Sequence, residues 1–256
     1  MRGLLSFLYG VVAYLACLVA LLYFIAFSGN LLVPKSVDVG ASAPWWEALV
    51  TDVLLLAAFG VQHSVMARHG FKRWWTRVVP PPVERSTYVL ATCAAQALMF
   101  WFWLPITTPV VWQVERTPGV AILWTVFGLG WVLVLVSTFL LNHFELFGLQ
   151  QVFARLTHRA MPEAEFRTPS LYRHVRHPLY LGLLLGLWSV PVMSAGRLLF
   201  ALGLSLYILI GILFEERDLL RQFGQRYRTY QAQVGMLIPR GKSSRPNAGH
   251  AAGRTK

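Results

Sequence analysis

Six apolar runs, separated by short polar segments, dominate the chain. They cover residues 4–27, 46–66, 87–104, 120–141, 179–192 and 198–214. The first four are long enough for transmembrane helices, which need about 20 residues. The fifth is shorter and contains Pro191, so we expect the last two runs to form a tilted or re-entrant hairpin that turns at Ala195 and Gly196. The pattern predicts an all-α, polytopic integral-membrane bundle of five to six transmembrane helices.

In the C-terminal segment, the apolar residues are spaced differently from those of the membrane runs. After Glu216, one helical face carries apolar and aromatic residues: Leu219, Leu220, Phe223, Tyr227, Tyr230 and Val234. This spacing predicts an amphipathic helix at the membrane interface, which either covers a site or only anchors the chain. Residues 241–256 are rich in Gly, Ser and basic residues, so we expect a disordered basic tail behind a single membrane domain of residues 1–240.

Composition and charge agree with a membrane protein. The chain is 56% hydrophobic and 13% charged, with a net charge of +12. If there are six crossings, 20 of the 23 Lys and Arg residues fall on one side, leaving Lys35, Arg116 and Arg197 on the other. The positive-inside rule then places both termini in the cytoplasm of a bacterial-type inner membrane. The basicity thus reflects topology and contact with lipid headgroups, and nucleic acid is not an expected partner.

Two further features concern processing. The apolar part of the first run is longer than that of a signal peptide, so an uncleaved first span is expected. Cys17 and Cys93 both lie inside apolar runs, and no disulfide framework is implied.

Ionisable residues near apolar runs are costly and therefore mark candidate sites. They are Asp52, His63, His143, Glu145, His177, Glu215 and Glu216. All except Asp52 fall near the predicted cytoplasmic ends. His177 and Glu215 are 38 residues apart, room for one helix out and one back, each about 28 Å long. We therefore expect the two glutamates to return beside His177.

The segment around His177 has the chemistry of an anion- and cation-binding site. Pro178 favours extended backbone before it and leaves N–H groups free at a helix start, which suits a carboxylate. Arg176 and His177 add hydrogen-bond donors for the same anion. Tyr172 and Tyr180 offer ring faces that can contact a base or a sulfonium. Glu215 and Glu216 can accept hydrogen bonds from a ribose or an amine. This set fits S-adenosylmethionine. The alternative is that Arg176 and His177 only set the membrane topology and that the Glu pair is a solvated helix end.

These residues also resemble a known family. Arg176-His177-Pro178-x-Tyr180, the Glu215-Glu216 pair and the later tyrosines look like the integral-membrane methyltransferases, which include isoprenylcysteine carboxyl methyltransferase and phospholipid methyltransferases. The resemblance implies that His177, Pro178, Tyr180, Tyr172 and Glu215 bind S-adenosylmethionine. One departure is Gly211, four residues before Glu215, where the isoprenylcysteine enzymes use a substrate-binding Arg.

The N-terminal segments narrow the resemblance. Those beginning at Gln62, Glu84 and Asn142 are similar to the NnrU-like branch, and within it to the methanethiol S-methyltransferases, which make dimethyl sulfide. The resemblance implies methyl transfer to a small thiol, with Gln62 and Asn142 near the substrate. A thiol must lose its proton to become a nucleophile. Candidate bases are His63 and the pair His143 and Glu145, although two residues at this spacing lie on different helix faces.

Other motifs and functions carry less weight. Gly128 and Gly130 lie inside a span without a preceding strand, so they do not form a dinucleotide loop. The histidines lack the HExxH or clustered Cys spacing of a metal site, and no metal is expected. The alternatives that remain open are methylation of a lipid or prenylated substrate and a non-enzymatic NnrU-like membrane factor or transporter.

Overall fold

The protein is a bundle of helices, here in a computed structural model that describes residues 1–162 and 166–240. The predicted tail, residues 241–256, lies outside the described part of the chain. The helices are α1 (Arg2–Gly29), α2 (Trp45–Ala67), α3 (His69–Trp75), α4 (Pro81–Phe102), α5 (Thr117–Leu141), α6 (His143–Leu146), α7 (Leu149–Thr157), α8 (Pro178–Trp188), α9 (Ala195–Phe223) and α10 (Gln225–Gln233). Two short strands, β1 (Val110–Gln113) and β2 (Val192–Ser194), pair antiparallel.

The predicted class, an all-α polytopic membrane protein, is confirmed. Within the described residues, four helices are long and apolar enough to cross a membrane, namely α1, α2, α5 and α9. The other two predicted runs are also helical. Helix α4 has 22 residues, whereas α8 has only 11 and covers about 17 Å, too little to cross a bilayer unaided.

The predicted turn at Ala195 and Gly196 is wrong. Helix α8 ends at Trp188, and the chain turns through Pro191 into β2, whose Val192 pairs with Gln113 of β1. The Ser194 hydroxyl then accepts from the Arg197 N–H at 3.1 Å, so Ala195 already lies inside α9. The local apolar pattern could not show this because the strand partner is about 80 residues away in the sequence.

Glycines allow α8 to lie directly against α5. A Cβ on Gly182 would come within 2.6 Å of the Gly130 carbonyl oxygen, and one on Gly186 within 2.8 Å of the Trp131 ring. The helix pair therefore packs backbone to backbone, as small residues permit in membranes. Gly182 and Gly186 thus permit close helix packing, with Gly130 and Trp131 as their neighbours on α5.

The C-terminal part of the fold differs in detail from the single amphipathic helix expected after Glu216. Helix α9 runs without interruption through Glu216 to Phe223. Gly224, with φ of 54°, breaks it, and α10 follows. Beyond α10 the chain returns as an extended segment in which Gly235 forms a parallel bridge with Val175. This return joins the end of the chain to the segment that precedes α8.

Candidate active site

A buried arginine ties three parts of the chain together. The Arg176 side chain is 8% exposed, and its Nε donates to Glu216 Oε1 at 2.6 Å. Its Nη1 donates to the carbonyl oxygens of Gln231 at 3.2 Å and Val234 at 2.5 Å. The Gln231 amide donates in turn to Glu216 Oε2 at 2.9 Å. Both Glu216 oxygens are therefore engaged, and we call Arg176, Glu216, Gln231 and Val234 the arginine brace.

His177 lies beside the brace at the start of α8. The prediction that the two glutamates return beside His177 is confirmed: His177 Nε2 is 3.1 Å from Glu216 Oε1, and His177 Nδ1 is 3.9 Å from Glu215 Oε2. The His177 ring is buried, and the backbone N–H of His177 donates to the Met236 carbonyl. Pro178 occupies the first position of α8 and is fully buried. The end of α8 that carries partial positive charge is thus fixed next to two carboxylates.

Glu215 differs from its neighbour because it stays partly open. Its side chain is 42% exposed, and Oε2 accepts from the Tyr180 hydroxyl at 2.8 Å. Burial, and then the Glu215 carboxylate, raise the pKa of the Tyr172 hydroxyl, which places that ring near the same carboxylate. The Tyr172 carbonyl accepts from the Tyr230 hydroxyl of α10 at 2.5 Å. Tyr180 and His177 therefore contact the partly open Glu215 carboxylate, and Tyr172 lies near enough to sense its charge.

An apolar cavity of about 340 Å³ begins next to this cluster. Tyr180 lines it, and so does Gly211, one helical turn before Glu215. A Cβ built on Gly211 would meet nothing within 4 Å, so the missing side chain leaves space there. Most of the remaining lining is aliphatic or aromatic, including Phe24, Phe59, Leu183, Leu187, Leu204 and Ile208. The cavity suits a small apolar molecule.

His63 lies on the wall of this apolar cavity, half-buried and bonded at both ring nitrogens. The Thr92 hydroxyl donates to the Tyr88 carbonyl at 3.0 Å, so at 3.2 Å from His63 Nδ1 it accepts. The proton is thereby assigned to Nδ1, and Nε2 accepts from the Tyr88 hydroxyl at 2.8 Å. Tyr88 also lines the cavity. The accepting nitrogen of His63 therefore lies behind a tyrosine hydroxyl at the cavity wall.

His143 has the same bonding pattern at a different place. Thr138 donates to the Leu135 carbonyl at 2.7 Å and accepts from His143 Nδ1, while the Tyr14 hydroxyl lies 2.8 Å from Nε2. The ring stacks on Phe139 with centroids 4.1 Å apart and is 4% exposed. Burial lowers the pKa of the His143 imidazole. Thr138, and not His143, lines the apolar cavity.

Asn142 and Glu145 line a second, polar cavity of about 690 Å³. Asn142, with φ of 104°, caps α6, and its amide donates to Glu145 Oε2 at 2.8 Å and Gln150 Oε1 at 2.6 Å. Lys72, Glu84 and Arg167 also line this cavity. His143 and Glu145 thus point into different surroundings. Gln62 donates to the Met66 sulfur at 3.2 Å, and its carbonyl oxygen is buried without a partner among the described residues.

Arg85 connects the two cavities, since it and Leu146 line both. Its Nε donates to the Leu146 carbonyl at 2.7 Å, and its guanidinium lies 4.9 Å from the centre of the Tyr88 ring. Sequence reasoning assigned no role to Arg85 or Tyr88. The signal that could have found them is their spacing, an ionisable and a phenolic residue one turn apart where an apolar run begins.

Comparisons with known proteins place the chain in a family. Residues 70–234 match the family described as "Protein of unknown function (DUF1295)". Methanethiol S-methyltransferase of Mycobacterium tuberculosis is 49% identical over 239 residues, which cover 93% of this chain and 98% of that protein. The enzyme of the same name from Pseudomonas deceptionensis is 54% identical over 211 residues, 82% of this chain and 80% of that protein.

A more distant relative is nurim of Bos taurus, 32% identical over 210 residues, covering 79% of this chain and 76% of nurim. No solved structure matches the chain. The extent and level of these identities show that the chain belongs to the DUF1295 family and, within it, to the methanethiol S-methyltransferases.

Proposed function

We propose that this protein transfers a methyl group from S-adenosylmethionine to a small thiol, most simply methanethiol, giving dimethyl sulfide. The observation that carries the proposal is the position of Tyr180. Its ring lines the apolar cavity, and its hydroxyl donates to Glu215 in the cluster beside α8. A methyl donor bound at the cluster and a methyl acceptor bound in the cavity therefore both lie next to Tyr180. The choice of a thiol as the methyl acceptor rests on the names of the relatives.

The donor set around Glu215 fits S-adenosylmethionine. Glu215 is a partly exposed carboxylate that accepts hydrogen bonds, which suits an amine or a ribose. Tyr172 and Tyr180 supply ring faces, and the start of α8 supplies N–H groups and partial positive charge for a carboxylate. When bound there, the molecule supplies an electrophilic methyl group on a sulfonium. Arg176 and Glu216 hold the site together through the arginine brace and support it from behind.

The acceptor side has to hold a thiol and remove its proton. The apolar wall of the cavity excludes water, and Tyr88 is the hydroxyl that faces the thiol. As Tyr88 takes the thiol proton, its own passes to His63 Nε2, which the Thr92 bond keeps unprotonated. Opposite charges are neutralised during such a transfer, which an apolar environment favours over water. Among the candidate bases, His63 is preferred because His143 lines neither cavity.

The orientation of the site follows from charge. Arg176 and Arg85 lie in the segments rich in basic residues, which the positive-inside rule assigns to the cytoplasm. We propose that both termini and the active site face that side, where a soluble methyl donor is available. The thiol, small and apolar, enters through the lipid phase.

The proposed reaction is tested by giving membranes that contain the protein S-adenosylmethionine and methanethiol, and measuring dimethyl sulfide in the headspace. We expect product that depends on both additions. The control is membranes from the same host without the protein. Transfer of labelled methyl groups to lipid, with no dimethyl sulfide, would instead support the alternative of lipid methylation.

Replacing His63 with alanine is expected to reduce turnover by about 100-fold or more while S-adenosylmethionine still binds, since a positioned base contributes about that much. Turnover is measured by headspace product and binding by calorimetry on purified protein. Matched controls are available because Tyr88 and Tyr14 make the same 2.8 Å bond to a histidine. Tyr88→Phe should lower turnover, and Tyr14→Phe should leave it near the wild-type value. Unchanged turnover in His63→Ala would remove His63 from the mechanism.

A further inference from the structure

Two free cysteines, Cys17 and Cys93, line the apolar cavity. Cys17 lies midway along α1 and Cys93 midway along α4, and the two helices pack together. Both side chains line the cavity. The two side chains are near enough to influence each other electrostatically. These are the two cysteines of the sequence, brought together from positions 76 residues apart.

A thiol pair at this place is exposed to whatever enters the cavity. On the proposed function, which this inference rests on, the entering molecule is a small apolar thiol. Its oxidised form is a dialkyl disulfide of similar polarity, which reaches the same cavity through lipid. The cavity of about 340 Å³ has room for such a molecule. Arg85 lines the same cavity, and the thiolate is the form of a cysteine that attacks a disulfide.

We propose that Cys17 and Cys93 form a redox-sensitive thiol pair that reacts with a small dialkyl disulfide such as dimethyl disulfide and closes the substrate cavity. The thiolate of one cysteine attacks a sulfur of dimethyl disulfide, whose S–S bond breaks, and methanethiolate leaves with the proton of that cysteine. The second cysteine then attacks the modified sulfur. A Cys17–Cys93 bond forms, and a second methanethiol leaves with the second proton.

The two electrons pass from the protein dithiol to dimethyl disulfide, which is the oxidant. The resulting bond links α1 to α4 through the wall of the cavity. A thiol-accepting enzyme thereby stops when its substrate pool becomes oxidised. A dithiol reductant reverses the reaction by thiol–disulfide exchange.

The test treats membranes containing the full chain with dimethyl disulfide, followed by mass spectrometry of the protein and by the headspace assay. We expect the wild type to lose two hydrogens and to lose activity about tenfold or more, with recovery in dithiothreitol. Of the variants Cys17→Ser and Cys93→Ser, the one that keeps the attacking cysteine should end with a methylthio group on it. The other variant should stay unmodified or react more slowly. The double variant should keep its own untreated activity after exposure.

Oxidised glutathione, which is large and charged, is the matched control reagent and should leave the wild type unmodified. Modification by both reagents alike would overturn a reaction confined to the cavity. A wild type that remains fully reduced, or that forms the bond without losing activity, would overturn the proposal. The mass measurement needs no methyl transfer, so it stands apart from a failure of the proposed function.

Discussion

Replacement of Glu216 with alanine is expected to lower the free energy of unfolding by about 3–5 kcal/mol, because it leaves a buried arginine without its carboxylate. Arg176 and Glu216 are 8% and 14% exposed, and the same carboxylate accepts from Gln231. The loss of these bonds should also free α10 from the start of α8. Thermal unfolding of the purified protein in detergent measures the effect.

The control for the Glu216 variant removes both charges. A double variant, Arg176→Met with Glu216→Leu, leaves no unpaired ion and should recover a substantial part of the lost stability. It should remain inactive if the brace also positions the donor cluster. A Glu216→Ala protein as stable as wild type would show that the brace contributes little to folding.

Replacement of Glu215 with glutamine is expected to do the opposite, reducing methyl transfer with little change in stability. Glu215 is 42% exposed, so its charge is not required to neutralise a buried ion. A lost hydrogen bond to a charged group costs about 1.5–3 kcal/mol, which corresponds to roughly 10- to 100-fold in donor affinity. The measurement is KM for S-adenosylmethionine together with the thermal midpoint.

Tyr180→Phe is the matched variant for Glu215, because it removes the hydroxyl that donates to the same carboxylate at 2.8 Å. We expect a smaller loss of donor affinity from it, since the carboxylate itself remains. If Glu215→Gln kept full donor affinity, or destabilised the protein as much as Glu216→Ala, the distinct roles proposed for the two adjacent carboxylates would be wrong.

Much of the donor side could be predicted from sequence because its geometry is local to one helical hairpin. An outward and a return apolar segment predicted that His177 would meet Glu215 and Glu216, and the contact is present. The two expected helical halves of about 28 Å are not, since α8 has only 11 residues and β2 completes the outward path. The hydrophobic runs likewise located the long helices, since each must satisfy its own backbone within lipid.

The acceptor side could not be predicted in the same way. The bonds of His63 to Tyr88 and Thr92 join α2 to α4, and those of His143 reach Tyr14, 129 residues earlier in the chain. Such contacts depend on how helices are arranged around one another, which hydrophobic periodicity does not specify. The sequence therefore identified both His63 and His143 as candidates, and the structure shows that only His63 lines the apolar cavity.

The parallel bridge between Val175 and Gly235 bears on how the protein matures during synthesis. The N–H groups of Arg176 and His177 donate to the carbonyl oxygens of Gly235 and Met236, and Arg176 also binds the Val234 carbonyl. The spans enter the membrane in the order in which the ribosome makes them, but this cluster lacks its backbone partners until Val234, Gly235 and Met236 have been translated. Insertion of α9 alone therefore does not complete the site, because the residues that fix the start of α8 come after both α9 and α10.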